Sequence, residues 1–356
     1  MQGARRRTRP APRGHPLIIG MLPGYPTGRM AEHEENRDGV DRLAAAALER
    51  WGMAGAPLRM INHSENVTYL VTPDGPARPA VLRVHRPGYH TMNGIRSELA
   101  WIQALRADGG VTTARAIPGR DGTEIQVVEQ SAATRRCVLF EYLDGTAPDE
   151  TRLVEPFQRL GEVTARTHRH SRRWRRPPWF ERHRWDFEHS LGGQPNWGPW
   201  AAGPDLDGER RRLLQRLVDL LQRRLAGFGQ SPDRFGLIHA DFRLANLLVH
   251  QGDVRVIDFD DCGFGWFLYD AATAVSFIEH RPDVDELMQA WLAGYRRVAP
   301  VPATEENELP TFIMLRRMVL LAWMGSHPDT DLARTEGPGY SRATCDLAER
   351  YLGRFG

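Results

Sequence analysis

The sequence predicts an α+β protein in which a small antiparallel β lobe is followed by a larger and mainly helical lobe. Two observations lead to this fold class. Between residues 58 and 142, short runs of β-branched or alternating residues are separated by turn residues such as those at 72–75. After Gly145 the pattern changes to long stretches with helical periodicity. The boundary between the lobes is therefore expected near Leu143-Asp144-Gly145.

Each lobe is predicted to contain its own set of elements. The β lobe has an amphipathic helix from Val40 to Trp51 and a second helix from Gly94 to Ala107. Its strands are expected at 58–61, 67–72, 81–85, 124–128 and 138–142. The helical lobe is expected to have helices at 151–170, 207–227, 283–297, 306–324 and 341–353, with short strands at 236–238, 247–250 and 254–257.

The composition is that of a folded chain without a membrane span. Of the 356 residues, 41% are hydrophobic and 26% are charged, which is enough apolar surface for a buried core. The mean hydropathy is −0.49, and no apolar run approaches the roughly 20 residues that cross a bilayer. A formal net charge of +2 gives no reason to expect a nucleic-acid partner. The three separated cysteines form neither a disulfide framework nor a zinc motif, so a reducing cytoplasm is expected.

Residues 1–37 are predicted to form a disordered extension. The first 31 residues carry six arginines, five prolines and no acidic residue, and such a composition buries too little apolar surface to order a chain. Met30 is an alternative start of the protein. The boundaries expected from the sequence are therefore 1–37 for the extension, 38–143 for the β lobe and 144–356 for the helical lobe.

All 47 basic residues counted as Lys or Arg in this chain are arginines, because the sequence contains no lysine. Together with the many Ala, Gly and Pro residues, this indicates coding in a GC-rich genome rather than a function. It still has a chemical consequence. Every role that usually falls to a lysine must be taken by an arginine, whose guanidinium is a planar fork and not a point charge.

The strongest functional signal is a polar loop between two apolar strands. His239, Asp241 and Asn246 lie in this loop, and Asp258 ends the strand that follows the next hairpin. An Asp and an Asn five residues apart, with another Asp after the hairpin, can surround a triphosphate and its metal ion. Asp241 can accept a hydroxyl proton, and the oxygens of Asn246 and Asp258 suit Mg²⁺.

With this motif the chain resembles the protein-kinase-like small-molecule phosphotransferases, which include aminoglycoside phosphotransferases, choline kinase and homoserine kinase, and the related bacterial stress-response protein kinases. The resemblance covers roughly residues 40–350 and implies a bilobal protein-kinase-like fold. It implies that Asp241 is the catalytic base, that Asn246 and Asp258 hold Mg²⁺, and that His239 is mainly structural. The β lobe would then bind the nucleotide, and the helical lobe would carry catalysis and substrate binding.

Further candidates for the nucleotide site lie in the β lobe. The polar loop around Ser64 and Asn66 joins two strands, and it is either a phosphate-binding loop or an ordinary hairpin turn. Arg83 lies on the polar face of an alternating strand, whose neighbours Leu82 and Val84 point to the interior. Relatives have a lysine paired to a helix glutamate there, so the resemblance implies that Arg83 replaces the lysine and pairs with Glu98.

The segment from Glu141 to Leu143 ends the last strand of the β lobe at the lobe junction. In relatives this hinge binds the adenine edge through backbone groups. The resemblance therefore places Glu141 and Leu143 at the base of the nucleotide.

Three arginine features allow more than one interpretation. Arg243 either faces the transferring phosphoryl group, as a second catalytic residue, or pairs with a nearby carboxylate. The segment 166–186 contains eight arginines and three tryptophans. It binds single-stranded nucleic acid, connects elements by stacking arginines on aromatic rings, or forms a lid that meets an anionic substrate. Arg316 and Arg317, on an otherwise apolar helix, either pair internally or face the cleft.

The function predicted from these residues is an ATP- or GTP-dependent O-phosphotransferase. Its partners would be the nucleotide with Mg²⁺ and a small polar molecule that offers a hydroxyl group, an amino alcohol or an antibiotic. Two alternatives stay open at this point. A stress-response type of protein kinase lacks support because no Ala-Pro-Glu segment follows Asp258, whereas a nucleotide-binding pseudokinase is suggested by the missing lysine alone.

Overall fold

A computed structural model describes residues 30–63, 66–130 and 133–356. The β lobe is built on an antiparallel sheet in the order β1-β2-β3-β6-β4, with β5 pairing to β6. Its strands are β1 (Leu58–His63), β2 (Val67–Val71), β3 (Ala80–Val84), β4 (Ala116–Ile117), β5 (Ile125–Gln130) and β6 (Ala133–Glu141). The alternating pattern that predicted these strands places Leu82 and Val84 in the core. It directs Arg83, which is also buried, toward Glu98 and Asp258.

Two helices pack against this sheet, α1 (Met30–Ala47) and α2 (Met92–Ala104). Helix α1 begins at Met30, so the folded part starts before the predicted boundary at residue 38; helix-forming residues follow Met30, and the prolines of the extension end at Pro26. The disorder predicted for the preceding part of the extension lies outside the described residues. Helix α2 is capped by Thr91, whose hydroxyl accepts from the amide of Gly94 at 2.9 Å.

The second lobe is mainly helical, as predicted. Its helices are α3 (Val154–Arg173), α4 (Phe187–Ser190), α5 (Gly208–Phe228), α6 (Phe267–Ala274), α7 (Val284–Arg296), α8 (Ala303–Glu306), α9 (Leu309–Ser326), α10 (Asp331–Glu336) and α11 (Tyr340–Phe355). Its strands are β7 (His183–Trp185), β8 (Phe235–Ile238), β9 (Leu247–His250), β10 (Asp253–Val256) and β11 (Gly263–Trp266). Strands β9 and β10 form a hairpin, and β11 lies between β7 and β8.

The sequence analysis missed seven of these elements, β4, β7, β11, α4, α6, α8 and α10. The strands have two to four residues each, and α4, α8 and α10 have four to six, which is too short for a periodic signal. Helix α6 is buried along its whole length, so it lacks the polar stripe that marks an amphipathic helix.

The lobes meet at Gly145, whose φ of 149° lies in a region that favours glycine. A Cβ at this position would lie 2.9 Å from the Leu248 Cβ and 3.2 Å from the Val249 carbonyl oxygen. A side chain here would therefore force the β lobe away from the hairpin of β9 and β10. The three cysteines are free and buried, and within the described ranges no helix is long and apolar enough to cross a membrane.

Candidate active site

A buried carboxylate fixes the loop that carries Asp241 by accepting hydrogen bonds from its backbone amides. Asp270, on α6, accepts from the backbone amides of His239 at 3.1 Å and Ala240 at 2.7 Å. The same carboxylate contacts Nε2 of His168 at 2.8 Å. These bonds stabilise Ala240 at a φ of 67°, a left-handed conformation that is unfavourable for a residue other than glycine. The unfavourable backbone conformation of Ala240 is therefore stabilised by side chains that are buried from solvent.

Asp241 receives hydrogen bonds from three side chains. Its Oδ1 accepts from Nη2 of Arg316 at 2.5 Å, and its Oδ2 accepts from Nδ2 of Asn246 at 2.7 Å and from Nε of Arg243 at 3.2 Å. Burial raises the pKa of this carboxyl, but the positive charges of Arg316 and Arg243 outweigh burial and lower it below the ordinary value. Asp241 is therefore ionised at neutral pH and able to accept a hydrogen bond from a substrate hydroxyl.

Of the two interpretations of Arg316 and Arg317, internal pairing describes Arg317 and a position at the site describes Arg316. Arg317 pairs internally, because its Nη1 lies 2.8 Å from Oε2 of Glu279 and both side chains are buried. Arg316 instead reaches the site and contacts Asp241, although it is only 1% exposed. Its Nε also donates to the Ser276 hydroxyl at 3.0 Å, which fixes the guanidinium.

Replacing Arg316 by Gln is expected to move the acid limb of the kcat–pH profile to higher pH. In the wild type the ionised form of Asp241 persists to pH values below the ordinary Asp pKa. Without the guanidinium, burial still acts on Asp241 and its pKa rises, so the base is protonated at a higher pH. Steady-state kcat measured across pH tests this.

Two variants complete that measurement. Arg316→Lys keeps a positive charge and is expected to restore much of the wild-type profile. Arg317→Gln removes the neighbouring buried arginine, lowers Tm and leaves the acid limb in place. An acid limb that is unchanged in Arg316→Gln contradicts the assignment of Arg316 to the charge balance of Asp241.

The structure brings Asn246 and Asp258 to the same edge of the lobe. The Ile257 amide donates to the Asn246 carbonyl oxygen at 3.0 Å, which joins the polar loop to the segment after β10. Asp258 has a left-handed φ of 62°, and its side chain is 37% exposed. Because Nδ2 of Asn246 donates to Asp241, its amide oxygen is directed elsewhere. One amide oxygen and one accessible carboxylate are donors that suit Mg²⁺ together with phosphate oxygens and water.

No group of three or more His, Cys, Asp or Glu side chains in the described part of the chain has the arrangement of a metal site. This agrees with the donor set above, since Mg²⁺ at nucleotide sites is held by one or two protein side chains and the phosphates.

Arg83 and Glu98 form a buried ion pair, as the resemblance implied. Nη1 of Arg83 lies 2.7 Å from Oε1 of Glu98, and Nη2 lies 2.9 Å from Oδ1 of Asp258. Burial lowers the pKa of Arg83, but the carboxylates around it outweigh burial and raise it. One guanidinium therefore joins α2 of the β lobe to the candidate metal ligand of the helical lobe, which a single ammonium nitrogen would do less well.

Arg83→Ala is expected to lower kcat/KM for the nucleotide about 10²-fold, because the phosphates lose a contact that positions them. Glu98→Ala is expected to cost about tenfold, since Arg83 keeps its charge but loses its orientation. The double variant is expected to be less than additive, because the two residues act as a pair. Initial rates at varied nucleotide concentration measure these effects.

The exposed Arg59 on β1 is a suitable control for that series, since Arg59→Ala removes an arginine from the same sheet far from the cleft. Normal turnover in Arg83→Ala contradicts the assignment and places the nucleotide clamp on other residues.

Asp260, two residues after Asp258, is buried and not solvated. It is 5% exposed, and its Oδ1 lies 3.4 Å from Nε2 of His90 and 3.6 Å from Nη1 of Arg83. Burial raises the pKa of Asp260, but His90 and Arg83 lower it well below the usual range. Asp260 therefore contacts Arg83 from the buried side and is not exposed in the cleft.

The remaining residues predicted to contact the nucleotide lie in the loop before β2 and at the lobe junction. Ser64 lies outside the described residues. The side chain of Asn66 is buried, and its Oδ1 accepts from the Arg86 amide at 3.1 Å, so it ties the loop to the end of β3. The Glu141 carboxylate contacts Nη2 of Arg115 at 2.6 Å, which leaves backbone groups as the predicted hinge contacts. Leu143 follows at the junction and is partly exposed.

The arginine-rich segment 166–186 connects elements. Arg172 lies over the Phe267 ring at 4.4 Å, and Arg96 of α2 lies over the Trp179 ring at 3.9 Å. The guanidinium of Arg182 is buried and donates to backbone carbonyl oxygens on both sides of the lobe junction. These contacts agree with the connecting interpretation and hold α2 against the helical lobe.

A family model described as the phosphotransferase enzyme family matches residues 58–301. The match covers more than half of the chain and includes the loop of Asp241 and the segment of Asp258. The chain belongs to the phosphotransferase enzyme family.

Similar proteins in this family include several kinases. The amicoumacin kinase of Bacillus subtilis is 25% identical over 300 residues, which cover 79% of this chain and 83% of that protein. The structure of a microcompartment-associated aminopropanol kinase has a TM-score of 0.82 at 48% identity, over 89% of this chain and 98% of that one. The structure of an amicoumacin kinase with AMP-PNP and Ca²⁺ has a TM-score of 0.74 at 22% identity, over 90% and 96% of the two chains. The last likeness shows the fold.

These comparisons confirm the predicted superfamily, the bilobal α+β fold and the enzyme class. The chain is a phosphotransferase whose acceptor is a hydroxyl group of a small molecule.

Proposed function

We propose that this phosphotransferase transfers the γ-phosphoryl group of ATP to the hydroxyl of a small amino alcohol, with Mg²⁺ as the metal ion. The observation that carries the proposal is the 48% identity to the aminopropanol kinase over 98% of that chain. The match covers 89% of this chain and therefore includes both lobes. Because the reaction consumes ATP, the proposal includes a cytoplasmic location.

The chemical step uses Asp241 as the acceptor of the hydroxyl proton. A bond forms between the acceptor oxygen and the γ-phosphorus, and the bond from that phosphorus to the bridging oxygen of ADP breaks. The hydroxyl proton is transferred to Asp241 and then passes to solvent. Since Asp241 is held by Arg316, Arg243 and Asn246, its main contribution is to orient the hydroxyl for in-line attack.

Positive charge near the transferred group is supplied by this chain and by the metal. Arg243 pairs with Asp241, so the carboxylate interpretation and a catalytic role are compatible: its guanidinium lies beside the acceptor and can stabilise charge on the phosphoryl oxygens. Asn246 and Asp258 would hold Mg²⁺, which neutralises the charge of the phosphates when it is bound.

The nucleotide would lie between the lobes. Arg83, oriented by Glu98, would contact the phosphates, and the loop of Ser64 and Asn66 would cover them. Backbone groups of Glu141 and Leu143 would bind the adenine edge. ATP rather than GTP is proposed because the amicoumacin kinase structure holds an adenine nucleotide analogue.

A panel of acceptors tests this function. Purified full-length protein is incubated with ATP, Mg²⁺ and one acceptor at a time: 1-amino-2-propanol, ethanolamine, choline, homoserine, an aminoglycoside or a protein substrate. ADP release and mass spectrometry of the products are measured, with GTP in a parallel series and Asp241→Asn as the inactive control. We expect an O-phosphorylated amino alcohol. Transfer to the antibiotic or protein, with none to an amino alcohol, overturns the proposal.

A further inference from the structure

We propose that Arg182 is a positioning residue of the nucleotide site, which sets the distance between helix α2 and the segment after Asp258 and thereby places Arg83 between them. This inference rests on the proposed function, because it concerns the residues that would contact the nucleotide and its metal ion. Arg182 itself would touch neither ligand. The sequence analysis counted it only as one of the eight arginines of the segment 166–186.

The three hydrogen bonds of Arg182 join the two lobes through backbone groups. Its Nη1 donates to the Gly94 carbonyl oxygen at 3.0 Å, in the first turn of α2. Its Nε donates to the Cys262 carbonyl oxygen at 2.5 Å, and its Nη2 donates to the carbonyl oxygen of Asp260. The side chain is 9% exposed, so water competes little for these carbonyl groups. One guanidinium therefore fixes the start of α2 against the turn that follows Asp258.

Arg83 bridges the same two elements through their side chains. It binds the carboxylate of Glu98 on α2 at 2.7 Å and that of Asp258 at 2.9 Å. Glu98 lies about one helical turn after the Gly94 carbonyl group that Arg182 binds. The two arginines therefore form a closed ring of contacts with α2 and the segment after β10. Because Arg182 holds the two backbones, it determines the gap that the Arg83 side chain spans.

The region of β7 holds the backbone that carries the predicted metal ligand. Nε1 of Trp185 donates to the Asp261 carbonyl oxygen at 2.8 Å. Together with the two bonds from Arg182, side chains of this region thereby bind three successive carbonyl groups, at residues 260–262. Strand β7 also pairs in parallel with β11, which begins directly after this turn. Asp258 has a left-handed φ of 62°, a conformation that persists only where the surrounding structure holds it.

On the other side of the junction, the segment 179–182 follows α2 and binds it at two more points. The Glu181 amide donates to the Ser97 hydroxyl at 2.9 Å, and the Thr91 hydroxyl donates to the Glu181 carboxylate at 2.9 Å. Ser97 directly precedes Glu98 in α2. Any shift of this segment therefore also shifts the carboxylate that orients the nucleotide clamp.

The chemistry of the guanidinium suits this role. Burial lowers the pKa of Arg182, but groups that include Glu98 and Asp260 outweigh burial and raise it above its ordinary value, so the side chain stays charged. Its donors lie on three nitrogens in one plane, and here each nitrogen binds a different carbonyl group. A lysine carries the same charge on one nitrogen and would reach fewer of these carbonyl groups.

The test measures binding of Mg²⁺·AMP-PNP to the full-length protein by isothermal titration calorimetry, so it does not depend on the acceptor. In Arg182→Gln we expect Kd to rise about tenfold, because the phosphates meet a displaced clamp. Arg182→Lys is expected to recover part of this loss. Ser97→Ala removes one contact between the segment 179–182 and α2 and is expected to raise Kd about threefold, so the test does not depend on the stability of Arg182→Gln.

A double-mutant cycle separates positioning from a general loss of stability. If Arg182 acts through Arg83, Arg182→Gln is expected to change the Kd of Arg83→Ala by less than about twofold. A purely structural role of Arg182 would instead weaken binding by the same factor in both backgrounds. The KM for the acceptor is expected to stay close to wild type in Arg182→Gln.

Arg184 supplies the matched control. It is the next arginine along the chain, and its side chain is 44% exposed and binds Asp186 within the helical lobe, so Arg184→Gln is expected to keep the wild-type Kd. Thermal unfolding of each variant checks the fold. The inference is overturned if Arg182→Gln and Ser97→Ala bind the nucleotide like wild type, or if Arg182→Gln weakens binding equally with and without Arg83. A wild-type protein that binds no Mg²⁺·AMP-PNP overturns the proposed function instead.

Discussion

Asp258→Ala is expected to abolish metal-dependent phosphoryl transfer while the protein stays folded. The Asp258 side chain is 37% exposed and contributes a carboxylate, not apolar packing, to its surroundings. Loss of a metal ligand removes several kcal/mol of charge stabilisation from the transition state, which corresponds to a decrease of about 10³-fold or more. Initial rates across a Mg²⁺ titration, with circular dichroism of the same sample, measure both parts of this expectation.

Asp253 offers the matched control, because it lies on β10 close in sequence but exposed to solvent. Asp253→Ala is expected to retain wild-type rates at every Mg²⁺ concentration. If Asp258→Ala reaches the wild-type rate at saturating Mg²⁺, Asp258 is not a required metal ligand. Arg83 keeps its contact with Glu98 in this variant, so a change in the rate is not explained by the loss of that ion pair.

Asp241→Asn is expected to lower kcat by about 10²–10⁴, the range for losing a general base or the group that orients the nucleophile. Asn keeps the size of Asp and one oxygen acceptor, but it cannot take the hydroxyl proton. The KM for the nucleotide is expected to change little. Tm is expected to fall, because Arg316 remains buried without the negative charge of its partner.

The kinetics of this variant are therefore measured well below its Tm, with Arg317→Gln as a control for general loss of stability. Wild-type kcat in Asp241→Asn excludes Asp241 as the base. A variant that loses nucleotide binding and keeps kcat at saturation shows instead that Asp241 is a nucleotide ligand.

The local residue pattern of the chain was sufficient to predict the main strands and helices of both lobes. Alternation along residues 81–85 predicted a strand with Arg83 on its polar face, and helical periodicity predicted the long helices of the second lobe. Turn residues and fixed spacing act over a few residues, so they are readable without the fold. The same holds for Asp241, Asn246 and Asp258, whose spacing around one hairpin brings them to one edge.

The resemblance supplied what spacing alone did not, the pairing of Arg83 with Glu98. Once the strand and the helix are placed, this contact follows from their positions in the fold. The sequence placed the end of the extension at residue 37, whereas α1 begins at Met30. A few helix-forming residues next to a disordered composition give too weak a signal to place a boundary.

Only the tertiary structure decided which charged groups meet. Arg316 and Arg317 are neighbours on one helix, yet one contacts Asp241 and the other Glu279. Successive helix positions point about 100° apart, so what each side chain contacts depends on how α9 packs against α6 and α11.

The sequence by itself thus predicted the order of the main elements, the enzyme family and the candidate residues of the chemical step. The tertiary structure decided the charge environment of those residues, including the pairing of Asp260 with Arg83 and of Asp261 with Tyr89. The physical reason is that burial and ion pairs depend on residues more than a hundred positions apart. Such distances in sequence leave no periodic pattern, and only packing brings the charges together.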